Sequence, residues 1–277
     1  MLKPIFLCAD DFGLNTAINE GVIALGLQGR LSATSCMSLA PAFARDAATL
    51  TQTPLATGLH LSLTEPGASH MASQTLPKVI LRSMLHQWSR ATLHDEIRRQ
   101  LDAFEDGMQR PPHHIDGHQH IHALPMIREV LLAELQRRYG DHAPTLRSTC
   151  DGGGATTWRD ALKAQVIESL GSHTLLRQAA EHCIPTSHAL LGVYGFNADA
   201  DHYLAHLKQW MQVAQPSDII MCHPAGRLSQ GDLLGDQRVV EYQVLASSDL
   251  AQVMQLIGVK VVQIEPAVIS AHRCLSR

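Results

Sequence analysis

Ile5-Phe-Leu-Cys-Ala-Asp-Asp-Phe-Gly-Leu14 begins as a short apolar run and ends abruptly in two acids. Ile5 to Ala9 is too short for a helix and reads as a strand buried on both faces. Thr16 to Gly29 follows as a helix, with Ile18, Val22 and Leu25 at helical spacing and Gly29 as its stop. The two aspartates fall between them, at the carboxyl end of the strand. Adjacent acids there repel each other and lose solvation unless a cation lies between them or one serves as a base; the plainer reading is an N-cap or loop pair for the helix.

The same alternation continues outward. Strands are expected over Leu31–Leu39, Ala56–Thr64, His113–Gly117, Thr145–Thr149, His188–Phe196, Asp218–Cys222 and Val259–Ile264. Helices are expected from Pro41, over Leu93–Phe104, Pro125–Tyr139, Ala200–Val213 and Asp236–Ala246, and through a helical region at Trp158–His182. Strands alternating with helices imply parallel βαβ units. The expected fold is therefore α/β, a single-domain distorted (β/α) barrel of seven or eight parallel strands spanning 1–277, with an open doubly wound sheet as the alternative. Residues 65–92 have weak periodicity and contain Pro66, Gly67 and Pro77, and read as an insertion over the site.

With 45% apolar and 17% charged residues the chain reads as globular, and a net charge of -4 gives no electrostatic case for nucleic acid or an anionic membrane. No apolar run approaches a membrane span, and the N-terminus turns acidic too early for a signal peptide, so a cytoplasmic protein is expected. The six cysteines form no C-x-x-C pair and read as reduced thiols, with Cys8 and Cys222 on buried strands beside the site. Each of the three tryptophans, Trp88, Trp158 and Trp210, is expected to serve ordinary packing rather than sugar stacking.

The 17 histidines are informative through their placement. His60 lies in Gly58-Leu-His-Leu-Ser-Leu-Thr64, the fourth strand runs into His114-Ile-Asp-Gly-His-Gln-His-Ile-His122, and His223 follows Ile219-Ile-Met-Cys222. In a parallel barrel these strand ends open on one face, where active sites lie. If extended, positions 114, 116, 118, 120 and 122 share a face; if helical, 114, 118 and 122 do. Either way imidazoles converge around Asp116, some as ligands and others orienting them. A mixed carboxylate–imidazole set suits Zn²⁺ and tolerates Mg²⁺, Mn²⁺ or Co²⁺. Such an ion, a carboxylate base and a histidine acid make a hydrolase constellation.

Cys8-Ala-Asp-Asp-Phe-Gly-Leu14, Gly58–Thr64, His114–His122 and His223-Pro-Ala225 together resemble the YdjC-like (ChbG/HpnK) carbohydrate deacetylases, in the family's order and over almost the whole chain. The resemblance implies a distorted (β/α) barrel, one divalent ion, usually Mg²⁺, a homodimer, and removal of N-acetyl groups from an amino sugar, whether a mono- or oligosaccharide or a glycolipid. Carried over by motif, Asp11, His60 and His118 bind the metal and Asp10 is the general base. By a looser analogy with other polysaccharide deacetylases His223 is the acid and Arg147 holds Asp10 ionised. Asp116, His120 and His122 are left to support the ligands or meet substrate. Ser62 stands where relatives often have Asn, and Asp116-Gly117 is closer to the chitin-disaccharide branch than to the hopanoid one. Two other classes compete: a glycosidic-bond hydrolase, which needs two carboxylates flanking the bond, and a non-catalytic sugar- or metal-binding protein.

Overall fold

The computed structural model describes residues 2–71 and 74–263. Eight strands form one parallel sheet: β1 (Lys3–Phe12), β2 (Ala33–Cys36), β3 (Ala56–Leu61), β4 (His114–Gly117), β5 (Thr145–Leu146), β6 (Leu190–Leu191), β7 (Ile219–Cys222) and β8 (Val259–Val261). Their order is β5-β4-β3-β2-β1-β7-β6, with β8 paired to the first residues of β1. The two ends of this path meet. Leu146 bridges Thr186 and Asp151 bridges Leu190, both in parallel. The Leu146 amide donates to the Pro185 carbonyl at 2.8 Å, and the Leu190 amide to that of Cys150 at 2.8 Å. The sheet therefore curls into the distorted (β/α) barrel that the strand–helix alternation predicts, not an open doubly wound sheet.

Helices pack around it: α1 (Thr16–Leu27), α2 (Pro41–Leu50), α3 (Leu76–Met84), α4 (Arg90–Met108), α5 (Ile127–Tyr139), α6 (Trp158–Ser169), α7 (Ser172–Glu181), α8 (Ala200–Val213), α9 (Gly235–Ala246) and α10 (Ser248–Ile257). Asn15 caps α1 by accepting from the Ile18 amide, and Pro41 starts α2, where its missing N–H costs nothing. Among the described residues no helix is long and apolar enough to cross a membrane.

Side chains of β1 alternate as a strand requires. Ile5, Leu7 and Ala9 join the large core with Ile18 and Val22 of α1, while Phe6 and Cys8 meet Ala33, Ala56 and Ile219 in a separate cluster between the strands. Above that cluster the barrel interior turns polar, with buried Ser35, His114, Asp116 and Arg147. Beyond β1 and β2 pair with one extra residue on β1: Ala9 faces Thr34 and Phe12 faces Cys36. This bulge holds Asp10 and Asp11, with Asp11 at φ 70, and bulges re-aim side chains at barrel rims.

Several expectations need adjustment. Ala200–Val213 is helical as read, but the expected strands Thr145–Thr149 and His188–Phe196 pair regularly only at Thr145–Leu146 and Leu190–Leu191, because the seam they form is joined by isolated bridges. The region Trp158–His182 is broken at Gly171, φ 140, where a Cβ would lie 2.3 Å from the Ala123 carbonyl oxygen. α3 and α10 carried no sequence signal strong enough to be read. Ile264 of the last expected strand, and Cys274, lie outside the described residues.

Gly192 follows β6 at φ 98, and a Cβ there would sit 2.3 Å from the Met221 carbonyl oxygen on β7. Gly192→Ala is expected to cost at least about 2 kcal/mol of stability, read as a lower urea midpoint. Gly231→Ala, also at positive φ but with open space around its Cβ position, is expected to cost about 1 kcal/mol.

Candidate metal centre and active site

The carboxyl ends of the strands open into a cavity of about 920 Å³ whose lining includes Asp10, Asp11, His60, His118, His120 and His223. The convergence expected from sequence is thus present in space. Asp10 and Asp11 arrive on the β1 bulge, His60 on β3, and His118 just after β4. His223 leaves β7, with its amide donating to Glu241 at 2.6 Å.

The His114–His122 stretch is neither one strand nor one helix. β4 ends at Gly117, and 118–123 form a short 3-10 segment in which Gln119 and His120 take φ 54 and 62. The histidines are consequently dispersed. His114 stays inside the barrel against Ser35, 2.9 Å away. His118 reaches Asp11, and His120 lines the cavity. His122 is fully buried behind it, where its Nε2 donates to the Arg147 carbonyl at 2.9 Å. His113 lies apart, against the backbone of Thr57.

His60 Nε2 and His118 Nδ1 approach the same oxygen, Asp11 Oδ1, at 3.2 and 3.1 Å. One donor atom from each of the three residues lies within 4.8 Å of the others. Divalent ions take nitrogen and oxygen ligands at roughly 2.0–2.2 Å, which sets neighbouring donors about 3 Å apart. The donor types and spacing fit such an ion. Both imidazoles also have an acid at their far nitrogen: Asp116 Oδ1 is 2.6 Å from His60 Nδ1, and Glu65 Oε2 is 3.7 Å from His118 Nε2. A carboxylate in that position fixes the tautomer and leaves the other nitrogen for a cation. Burial lowers the His60 pKa, but the Asp116 and Asp11 carboxylates outweigh it and push it up to about 10. The local potential therefore favours positive charge where these groups meet. Asp10, His60 and Asp116 are also within ligand range of one another. There, however, the Arg147 guanidinium already bridges the two acids.

Arg147, buried on the turn after β5, grips Asp10 with two bonds of 2.6 and 2.7 Å and reaches Asp116 Oδ2 at 2.5 Å. Ser35 donates to the same Asp116 oxygen at 2.6 Å. Asp11 has a second guanidinium of its own: Arg238 on α9 donates to Oδ2 at 2.7 Å. Burial raises the Asp11 carboxyl, but Arg238, His118 and His60 together hold it well below the usual carboxylate range. Burial lowers the His223 pKa, opposed by Asp11, Glu241 and Asp10, and among the described residues its Nδ1 has no hydrogen-bond partner.

Sequence reading did not find Arg238, Glu65 or Glu241. All three lie in segments without a motif and become visible only through their contacts. It also misjudged Trp158. Trp88 and Trp210 are buried, but Trp158 is 71% exposed and lines the cavity.

A family model described as YdjC-like protein matches residues 4–256. A carbohydrate deacetylase of Mus musculus is 31% identical over 170 residues, 57% of this chain and 54% of that protein. A chitooligosaccharide deacetylase of Serratia marcescens is 33% identical over 144 residues, 49% and 57% of the two chains. These two alignments thus take in little more than half of each relative's length. One with a chitooligosaccharide deacetylase of Yersinia enterocolitica is 27% identical and takes in 93% of this chain and 96% of that one. Among solved structures, an Enterococcus faecalis protein named for cellobiose-phosphate cleavage superposes with a TM-score of 0.65 at 18% identity, covering 95% of this chain and 98% of its own. A CE4-family pseudoenzyme from Bacillus anthracis does so with a TM-score of 0.50 at 11% identity, covering 97% and 66%. At these identities the two structures speak for the fold alone.

Burial holds His114 and His122 down at about 4. An unfolded chain binds those protons near pH 6.5, whereas the folded chain resists them until about 4, so acidification through this window favours unfolding. Thermal midpoints are expected to fall steadily as pH is lowered from about 6.5 towards 4. His122→Gln, which removes one of these groups, should make that slope shallower.

Proposed function

This chain belongs to the YdjC-like family, and on that footing we propose that it is a metal-dependent hydrolase that removes the N-acetyl group of an amino sugar. The observation that carries the proposal is the meeting of Asp11, His60 and His118 around one point, with Asp10 adjacent on the same bulge, at the carboxyl mouth of the barrel. The names of the relatives point to the same chemistry.

Asp11, His60 and His118 would hold the ion, with Mg²⁺ first among the candidates and Zn²⁺, Mn²⁺ or Co²⁺ able to use the same donors. Bound there, a divalent cation polarises a carbonyl and acidifies water. Asp10 takes the water's proton as general base. Its two bonds to Arg147 fix its direction. His223 carries a proton to the departing amine; burial makes its imidazolium a stronger acid than a solvated one. Asp116 ties the two halves together, since it touches both His60 and Arg147.

The outer cavity bears on the sugar. Trp158, Leu162 and Val166 recur at four-residue spacing on α6, each more than half exposed, and line the cavity together with Leu76 and Ile80 of α3 and with Leu233, 95% exposed. A saccharide can stack a ring face on Trp158 but offers the aliphatic part of this wall little. An amino sugar bearing an apolar aglycone fits it better, which favours the glycolipid form of the substrate over the short chitin oligosaccharide.

Acetate release from N-acetylglucosamine, diacetylchitobiose and an octyl N-acetylglucosaminide is expected to stop on chelation and return on metal add-back. Asp10→Asn is expected to lower turnover by at least about 10²-fold with the metal still bound; near wild-type turnover would remove Asp10 from the base role. Partial burial of the octyl chain, at about 0.8 kcal/mol per CH₂, should lower KM by about tenfold or more relative to the free sugar. Equal KM values would return the choice to the hydrophilic substrates.

A further inference from the structure

The two adjacent aspartates are each matched with a buried guanidinium, but the pairings differ. Arg147 grips both oxygens of Asp10. Arg238 takes only Oδ2 of Asp11, at 2.7 Å, and leaves Oδ1 to His60 and His118. Its fork is completed elsewhere. Nε lies 2.9 Å from Asp232 Oδ2, and Nη1 donates to the His223 carbonyl at 3.4 Å. The Ala225 amide donates to the Arg238 carbonyl at 3.1 Å. Arg238 is 3% exposed and lines the cavity. One side chain thus ties the proposed ligand Asp11 to the loop that carries His223.

We infer that Arg238 is a positioning residue that reserves one oxygen of Asp11, so that this carboxylate ligates through Oδ1 alone and keeps a position at the ion open for water and the acetyl carbonyl. The inference rests on the metal-dependent reading above. A carboxylate with both oxygens free can chelate an ion through two bonds and so fill the position that the reaction needs. A fixed positive charge beside the ligand also weakens its hold on a dication. Arg238 accordingly trades metal affinity for turnover, and its loss moves the two in opposite directions. A residue that merely supports the fold would, when lost, weaken both.

The test is calorimetric titration of the full chain with Mn²⁺, alongside acetate release at saturating Mn²⁺, for wild type, Arg238→Met, Arg238→Gln and Arg238→Lys. Both neutral variants are expected to bind Mn²⁺ about tenfold more tightly or better and to turn over at least about tenfold more slowly. Glutamine places its amide where Nε meets Asp232 and falls short of Asp11, so it keeps the test alive if the methionine variant does not fold. Lysine retains the charge and is expected to bind Mn²⁺ with near wild-type affinity. Unchanged or weaker Mn²⁺ binding in the folded neutral variants overturns the inference while leaving the metal site in place. A wild-type chain that neither binds Mn²⁺ nor releases acetate overturns the reading beneath it, and the inference with it.

Discussion

Burying acids at the end of a barrel requires cations among them, and Arg147 meets that requirement at the barrel's centre. Asp10 and Asp116 come from different strands, and each is almost wholly buried and would otherwise carry an uncompensated charge. One guanidinium answers both, through paired bonds to Asp10 and a short bond to Asp116. Burial alone would lower the Arg147 pKa, but Asp10 and Asp116 hold it well above its ordinary value. A buried ion set of this kind is a weak source of net stability, yet removing one member leaves the others unpaired. Its contribution is orientation: the same Asp116 that Arg147 fixes also fixes His60.

The β1 bulge is the second constraint. In a regular strand Asp10 and Asp11 would point to opposite faces, one into the barrel and one into the surrounding helices. One extra residue and a positive φ at Asp11 bring both to the mouth. A non-glycine residue in that conformation is held by its surroundings, and three groups hold Asp11: His60, His118 and Arg238. Adjacent identical residues thereby acquire different work. Asp10 faces a guanidinium through both oxygens, whereas Asp11 keeps one oxygen for the imidazoles.

Much of this was legible in the sequence where local pattern and tertiary role coincide. Ile5–Ala9 and Asp218–Cys222 are runs that only a doubly buried strand explains, and the acids and histidines that follow them mark the open end of a barrel. The seam between β5 and β6 was not legible in length, because two-residue strands joined by single bridges leave no periodicity. The His114–His122 stretch pointed to the right place with the wrong geometry. A strand that stops at Gly117 and a 3-10 segment with two residues at positive φ send neighbouring histidines in different directions. Arg238 and Glu241 sit in a helix whose buried face also holds Gln237, so no apolar stripe marks it, and a buried ionic residue looks like a solvated one until its partners are known. Trp158 opens a helix with one apolar face, and packing is the ordinary use of a tryptophan there. Only the cavity beside it shows that part of this face is open.

The arrangement of acids also bears on the competition between deacetylation and glycosidic cleavage. Glycosidic hydrolysis by two carboxylates needs one as a protonated acid and the other as a free base or nucleophile, on either side of the bond. Glu65 has a suitable tendency, since burial raises its pKa. Its counterpart would be Asp10, which serves as the base in either reaction, so the two readings part at the groups beside that acid. Among the described acids lining the cavity, Asp10 is clamped by Arg147, and Asp11 and Asp232 share Arg238. Asp116 lies fully buried beneath. What the cavity presents instead is an acid next to a cation-favouring trio, with the His223 imidazole in the same lining. That division of labour suits attack on a carbonyl and protonation of an amine.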